Sequence, residues 1–108
     1  EQLLEKVRGD EAFVRDRLEG MKSRYNLIGD VRGVGLLWGV ELVKCRQSKE
    51  RATFEAEKIL YRCLELGLSF KVSQGNVLQL SPPLVIDRSE LIRALDIVEQ
   101  AISEISAD

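Results

Sequence analysis

The sequence predicts an α+β domain in which a small antiparallel sheet is covered on one face by helices, in the order α-β-β-α-β-β-α. Three observations lead there: three stretches carry apolar residues at helical spacing, others alternate at the period of a strand, and turn-forming residues separate them. With 108 residues, 44% hydrophobic and 31% charged, residues 1–108 have the size and composition of one ordered domain.

From Leu3 to Tyr25 the residues Leu3, Val7, Val14, Leu18, Met21 and Tyr25 recur at helical intervals, and Phe13 widens the stripe. Gly9 and Gly20 weaken this first helix by roughly 1 kcal/mol each relative to alanine, so its turn before Asp10 is expected to fray. Arg15, Arg17, Glu19 and Lys22 read as its solvated face. Asn26 ends it.

Ile28 to Val43 holds four of the eight glycines and the single tryptophan. Ile28–Arg32 is expected to be extended, Gly33-Val34-Gly35 to bend, and Leu36–Val43 to form the main strand. Leu36, Trp38, Val40 and Leu42 then share an apolar face, and Leu37, Gly39, Glu41 and Val43 the other. Arg32 and Glu41 are assigned a structural ion pair or hydrogen bonds to the neighbouring turn. Residues 44–52 read as an exposed connection.

Thr53 is the expected N-cap of a second helix burying Ala56, Ile59, Leu60, Cys63 and Leu64, with Gly67 as the left-handed residue beyond its end. Leu68, Phe70 and Val72 alternate with Ser69 and Lys71, the polar turn Ser73-Gln74-Gly75-Asn76 follows, and Val77–Ser81 returns antiparallel. Leu78 and Leu80 point inward; Val77, Gln79 and Ser81 share the opposite face. Pro82-Pro83 stops the strand. Asp87-Arg88-Ser89-Glu90 opens the last helix as a capping-box variant, and Leu91, Leu95, Val98, Ile102 and Ile105 form its buried stripe.

Composition narrows function mainly by exclusion. Net charge is −2, with 16 basic residues interspersed among 18 acidic ones, so neither a nucleic acid nor a membrane surface is an expected partner. Histidine is absent and Cys45 and Cys63 lie far apart, which predicts no metal site, one free surface thiol and one core thiol rather than a disulfide. No run of 18 apolar residues and no secretory pattern is present, so a cytoplasmic location is expected. Gly33-x-Gly35-x-x-x-Gly39 lacks the spacing of a dinucleotide cradle and continues as a strand. None of the six lysines has surroundings that mark it as a nucleophile.

The segments Ile28-Gly-Asp-Val-Arg-Gly-Val-Gly-Leu-Leu-Trp-Gly-Val-Glu-Leu-Val43 and Gly75-Asn-Val-Leu-Gln-Leu-Ser-Pro-Pro-Leu-Val-Ile86, separated by a helix ending Leu66-Gly67-Leu68, carry a more specific signal. Together they resemble the carboxy-terminal domain of class-III pyridoxal-phosphate aminotransferases. Val31–Lys44 and the turn Gly67-Leu68-Ser69 look closest to 2,2-dialkylglycine decarboxylase, a decarboxylating transaminase.

The resemblance implies the small domain of a fold-type-I enzyme that transfers an amino group to a keto acid, with or without decarboxylation. In such enzymes pyridoxal 5'-phosphate, its lysine and its phosphate clamp belong to a large domain, here expected upstream of Glu1. This chain is then expected to bind no cofactor, to contain no catalytic residue and to be inactive alone. Its partners are that large domain, an amino-acid or amine substrate, a keto acid and, in the full-length protein, a second subunit.

The resemblance also implies one substrate-binding position, an arginine on the strand before Pro-Pro that holds the substrate carboxylate; here it is Gln79. Glutamine lacks the charge and the bidentate fork, a loss of about 1.5–3 kcal/mol of binding if nothing replaces it. Either a group of the large domain holds the carboxylate, or the preferred donor has none at that subsite, or Gln79 is merely a solvated strand residue. The competing class of function is a stand-alone α+β interaction or small-ligand regulatory module. About 300 upstream residues of α/β pattern favour the enzyme.

Overall fold

The computed structural model describes residues 2–81 and 87–106. Helix α1 (Gln2–Arg24) runs unbroken through Gly9 and Gly20, so its first turns do not fray as expected. A 23-residue helix is about 34 Å long, and its amino-terminal half overhangs the core. Leu3 is therefore about half exposed, and burial begins at Asp10 and continues through Val14, Leu18 and Met21.

The hairpin β1 (Ile28–Val34) and β2 (Leu37–Cys45) closes through a two-residue turn at Gly35-Leu36, so β1 runs two residues past its expected end at Arg32, into the expected bend, and Leu36 is a buried turn residue. Gly33 pairs with Trp38, and any Cβ there would lie 2.5 Å from both the Leu37 carbonyl oxygen and the indole Cδ2. The ring occupies the space a side chain would need. Its Nε1 donates to the Gly35 carbonyl at 2.8 Å, which fixes the indole in the core.

Residues 44–52 are more structured than expected. A short strand β3 (Glu50–Arg51) pairs with β2, Ala52 is fully buried, and Arg46 donates to the Ile28, Tyr25 and Lys22 carbonyls, the last two at the end of α1. Helix α2 (Thr53–Glu65) takes Ala52 rather than Thr53 as its N-cap, without a side-chain cap. It buries Ala56, Ile59 and Cys63, while Leu60 is half-buried and Leu64 exposed: the buried stripe is narrower than the apolar one. Gly67, at φ +99°, ends the helix in the expected conformation.

Strands β4 (Lys71–Ser73) and β5 (Val77–Leu80) form the second hairpin, with positive φ at Gln74 and Gly75. Helix α3 (Arg88–Ser106) starts where Asp87 Oδ1 accepts from the Glu90 amide at 3.0 Å, the expected cap. The expected stop at Pro82-Pro83 lies outside the described residues.

The five-stranded sheet has the order β1-β2-β5-β4, antiparallel throughout, with β3 also on β2. One core joins Trp38, Val40, Leu42, Leu78 and Leu80 of the sheet to Val14, Leu18 and Met21 of α1, Ile59 of α2, and Leu91, Leu95, Val98 and Ile102 of α3. Side chains of this size contribute about 1.5–3 kcal/mol each on burial. Asn76 is also buried, and its Nδ2 donates to the Leu42 carbonyl at 2.9 Å while the Leu42 amide donates to its main-chain oxygen at 2.8 Å.

Ion pairs fasten the helices. Glu99 on α3 accepts from Arg17 at 3.1 Å, Arg24 at 2.6 Å and Tyr25 at 3.2 Å, and Arg17 also donates to Asp96 at 2.6 Å. Arg17 is thus a bridge between α1 and α3, not part of a solvated face. Asp10 accepts from Lys6 at 2.7 Å and from Arg88 at 2.9 Å; burial pushes its carboxyl pKa up, and the two cations outweigh burial and hold it below the ordinary value. No helix among the described residues is long and apolar enough to cross a membrane.

Candidate functional site

Strand alternation sends Leu36, Trp38, Val40 and Leu42 to the helices and leaves the other sheet face open. The register places Arg32, Gly39, Gln79 and Lys71 in one row across β1, β2, β5 and β4, all facing away from the helices. Neighbouring strands are about 4.8 Å apart. Gly39 carries no side chain, so Arg32 and Gln79 border an open floor about 10 Å across. Asp30, Glu41, Val77 and Ser73 form the next row.

Two shallow grooves meet at Gln79. One, of about 440 Å³, is lined by Arg32, Val34, Leu37, Gly39, Gln74 and Val77, among others, together with Gln79. The second, of about 450 Å³, is lined by Leu37, Ser69, Phe70, Lys71, Ser81 and again Gln79, with no acidic side chain. Leu37 and Val34 are 58% and 71% exposed on this face. Another cavity, about 210 Å³ between the sheet edge and α3, is lined among the described residues by apolar side chains and two serines, with no charged group to do chemistry.

The polar residues of the open face differ in how far they are satisfied. Arg32 Nη1 donates to Asp30 at 2.9 Å and lies 3.7 Å from Glu41, the structural ion pair expected for it. The side chains of Gln79 and Lys71 are exposed and neither meets a hydrogen-bonding or ionic partner among the described residues. The sequence pointed to Gln79; it did not point to Lys71. The three-residue loop Gln74-Gly75-Asn76 sets residue 71 opposite residue 79, a register that strand alternation alone does not fix.

Each of the six lysines is exposed or half-exposed. None is enclosed by apolar side chains of the kind that desolvate an amine for imine formation with a carbonyl cofactor. Cys45 is free and exposed; Cys63 is free and buried, and burial pushes its thiol up to about 11.

The family model described as aminotransferase class-III matches residues 1–102. The chain belongs to the class-III aminotransferase family. Among curated relatives of this class-III chain, the (R)-1-hydroxy-2-aminoethylphosphonate ammonia-lyase of Vibrio splendidus is 61% identical over 108 residues, all of this chain and 22% of that protein. The leucine/methionine racemase of Thermococcus litoralis is 50% identical over 94 residues, 87% of this chain and 21% of the racemase. The class-III chain thus spans about a fifth of the curated relatives it matches, 22% and 21%. Among solved structures, a PMP-bound aminotransferase from Vibrio fluvialis superimposes with a TM-score of 0.87 at 29% identity, covering 98% of this chain and 24% of that one.

None of the lysines of this class-III chain has surroundings that fit the cofactor-bearing role, and no step of cofactor chemistry is assigned to the open face.

Proposed function

We propose that this chain is the small, substrate-side domain of a longer pyridoxal-phosphate enzyme that acts on an amine whose amino carbon bears no carboxylate, releasing ammonia from a hydroxylated aminoalkylphosphonate. The observation that carries the reading is Gln79. At the position where the family resemblance implies a carboxylate-binding arginine, the chain presents a neutral amide, exposed and unpartnered on the open sheet face. A group that can donate hydrogen bonds but carries no charge gives an α-carboxylate little advantage over a neutral substituent. The relative that is 61% identical over the 108 residues of this chain is named for a substrate of that kind: 1-hydroxy-2-aminoethylphosphonate has its amine on a carbon without a carboxylate.

In this reading the rest of the protein holds pyridoxal 5'-phosphate and does the bond breaking. The open face of the sheet turns toward the substrate, where Gln79 donates hydrogen bonds and Leu37 and Val34 help exclude water. Two other reactions draw support from particular likenesses. The racemase relatives favour inversion of α-amino acids, and the motif likeness to 2,2-dialkylglycine decarboxylase favours loss of carbon dioxide. Both need a carboxylate on the amino carbon, which Gln79 meets without charge.

The test uses the full-length protein loaded with pyridoxal phosphate, assayed for ammonia from (R)-1-hydroxy-2-aminoethylphosphonate, for carbon dioxide from 2-aminoisobutyrate and for inversion of leucine. The expected result is ammonia release alone. The variant Gln79→Arg is expected to raise kcat/KM for α-amino acids by about 10–100-fold. Carbon dioxide release or inversion as the dominant activity of the unaltered enzyme refutes the reading, and an unchanged kcat/KM in Gln79→Arg refutes a direct contact at that position.

A further inference from the structure

Gln79 removes a cation from one strand, and the neighbouring strand carries one. Lys71 pairs directly with Gln79 in the β4–β5 register, so the two side chains leave the same face of the sheet with their Cβ atoms about 5 Å apart. Both are exposed, and neither has a hydrogen-bonding or ionic partner among the described residues. They share the walls of the 450 Å³ groove whose other lining residues are Leu37, Ser69, Phe70 and Ser81. Among the described residues no carboxylate lines that groove, so none of them neutralises the ammonium there. Arg32, the other cation of the row, is drawn back toward Asp30 and Glu41.

We propose that Lys71 and Gln79 together form an anion subsite on the open sheet face, in which Lys71 supplies the charge and Gln79 an amide hydrogen bond to the anionic end of the substrate. This rests on the reading that the open face turns toward the substrate. The cation stands one strand spacing, about 4.8 Å, from the strand position where the family resemblance implies it. An anion attached at the amino carbon is aligned with position 79; one attached a carbon further along is offset from it, as the lysine is. The ligand chemistry is therefore an amine with its anion beyond the amino carbon, a phosphonate or a carboxylate. A lysine ammonium binds either as a point charge, with three donors that need no bidentate geometry.

The experiment compares the full-length protein with Lys71→Met and Lys71→Arg by calorimetric titration of methylphosphonate and of acetate, and by steady-state kinetics with the phosphonate substrate and with 1-amino-2-propanol, which keeps the vicinal hydroxyl and carries no anionic group. The unaltered protein is expected to bind at least one of the two anions. Lys71→Met is expected to weaken that binding and raise KM for the phosphonate substrate about 10–100-fold with kcat changed less than about twofold, while KM for 1-amino-2-propanol changes less than about twofold. Lys71→Arg is expected to keep most of the anion affinity. Tighter binding of methylphosphonate assigns the subsite to phosphonates, and tighter binding of acetate assigns it to carboxylates.

Anion binding that survives Lys71→Met, binding of neither anion to the unaltered protein, or an equal rise in KM for 1-amino-2-propanol overturns the proposal. Its failure is separable from that of the proposed reaction. Lys71-dependent methylphosphonate binding without ammonia release sinks the reaction and leaves the subsite standing. Ammonia release indifferent to Lys71→Met does the reverse.

Discussion

Replacing Gly33 by alanine tests how the opening hairpin is held. The new Cβ would lie 2.5 Å from the Leu37 carbonyl oxygen, 2.5 Å from the Trp38 indole Cδ2 and 2.7 Å from Cε3. The carbonyl belongs to the main chain and has no rotamer to escape to, so the indole must move. Overpacking of this kind costs about 1–3 kcal/mol, and loss of the 2.8 Å bond from Nε1 to Gly35 adds about 0.5–1.5 kcal/mol. The stiffer unfolded chain returns about 0.4–1 kcal/mol. The net expectation is a loss of about 2–3 kcal/mol, a drop in Tm of roughly 10 °C for a domain of this size.

Trp38 is the only tryptophan and is 3% exposed, so its emission reports both the urea unfolding of the 108-residue chain and any native-state shift of the ring. Gly33→Ala is expected to lower the urea midpoint and shift native emission to the red. In a Trp38→Leu background, followed by circular dichroism, the same substitution is expected to cost less but still to destabilise, because the clash with the main-chain carbonyl remains. Stability within about 0.5 kcal/mol of the unaltered chain, with unshifted emission, would refute the close-approach account, since core overpacking rarely costs so little.

Glu99→Gln is expected to lower stability at neutral pH and to flatten its acid limb. Burial pushes the Glu99 carboxyl pKa up, but Arg24 and Arg17 outweigh it and hold the value below the ordinary glutamate range, so the stabilisation is full above that range and is lost as pH falls through the lowered value; urea titrations between pH 3 and pH 7 read the difference. Asp87→Ala removes the acceptor for the Glu90 amide and is expected to cost about 1 kcal/mol by thermal melting, whereas Asp87→Ser restores most of it. Alkylation of the native protein at pH 8 is expected to label Cys45 alone, because burial raises the Cys63 thiol to about 11; mass spectrometry of peptides reads the site, and equal labelling contradicts the burial.

Much of this architecture follows from local pattern. Strict alternation in β2 made its core face readable, and Asp87, Gly67 and the Gln74-Gly75 turn each announced a boundary by the backbone geometry they favour. What escaped depends on partners distant in sequence. Nothing near Asp10 indicates that a carboxylate there is buried, because Arg88, which completes its pairing, is 78 residues away. Arg17 looks like any exposed helix cation until Asp96 and Glu99 are brought against it. Leu64 was misread because the apolar stripe of α2 is wider than the surface that α3 and the sheet cover.

The candidate site divides along the same line. Alternation in β5 was enough to orient Gln79, a property of one strand. The significance of Lys71 depends on the register between two strands, and the neutralisation of Arg32 on side-chain positions within the β1–β2 hairpin. Neither strand alone carries the register, whereas Arg32 and Asp30 stand two residues apart in β1.

Asn76 gives the buried polar contact at Leu42 a role in specificity. A strand shifted by one residue exchanges its two faces, and on β5 that shift would sink Gln79 toward the helices and expose Leu78 and Leu80. The two bonds between Asn76 and Leu42 form only when Val77 stands opposite Glu41, and that same alignment sets Gln79 opposite Gly39. The amide therefore acts as an alignment pin for the substrate face from inside the protein. A change at position 76 alters what the surface presents without touching any residue on it.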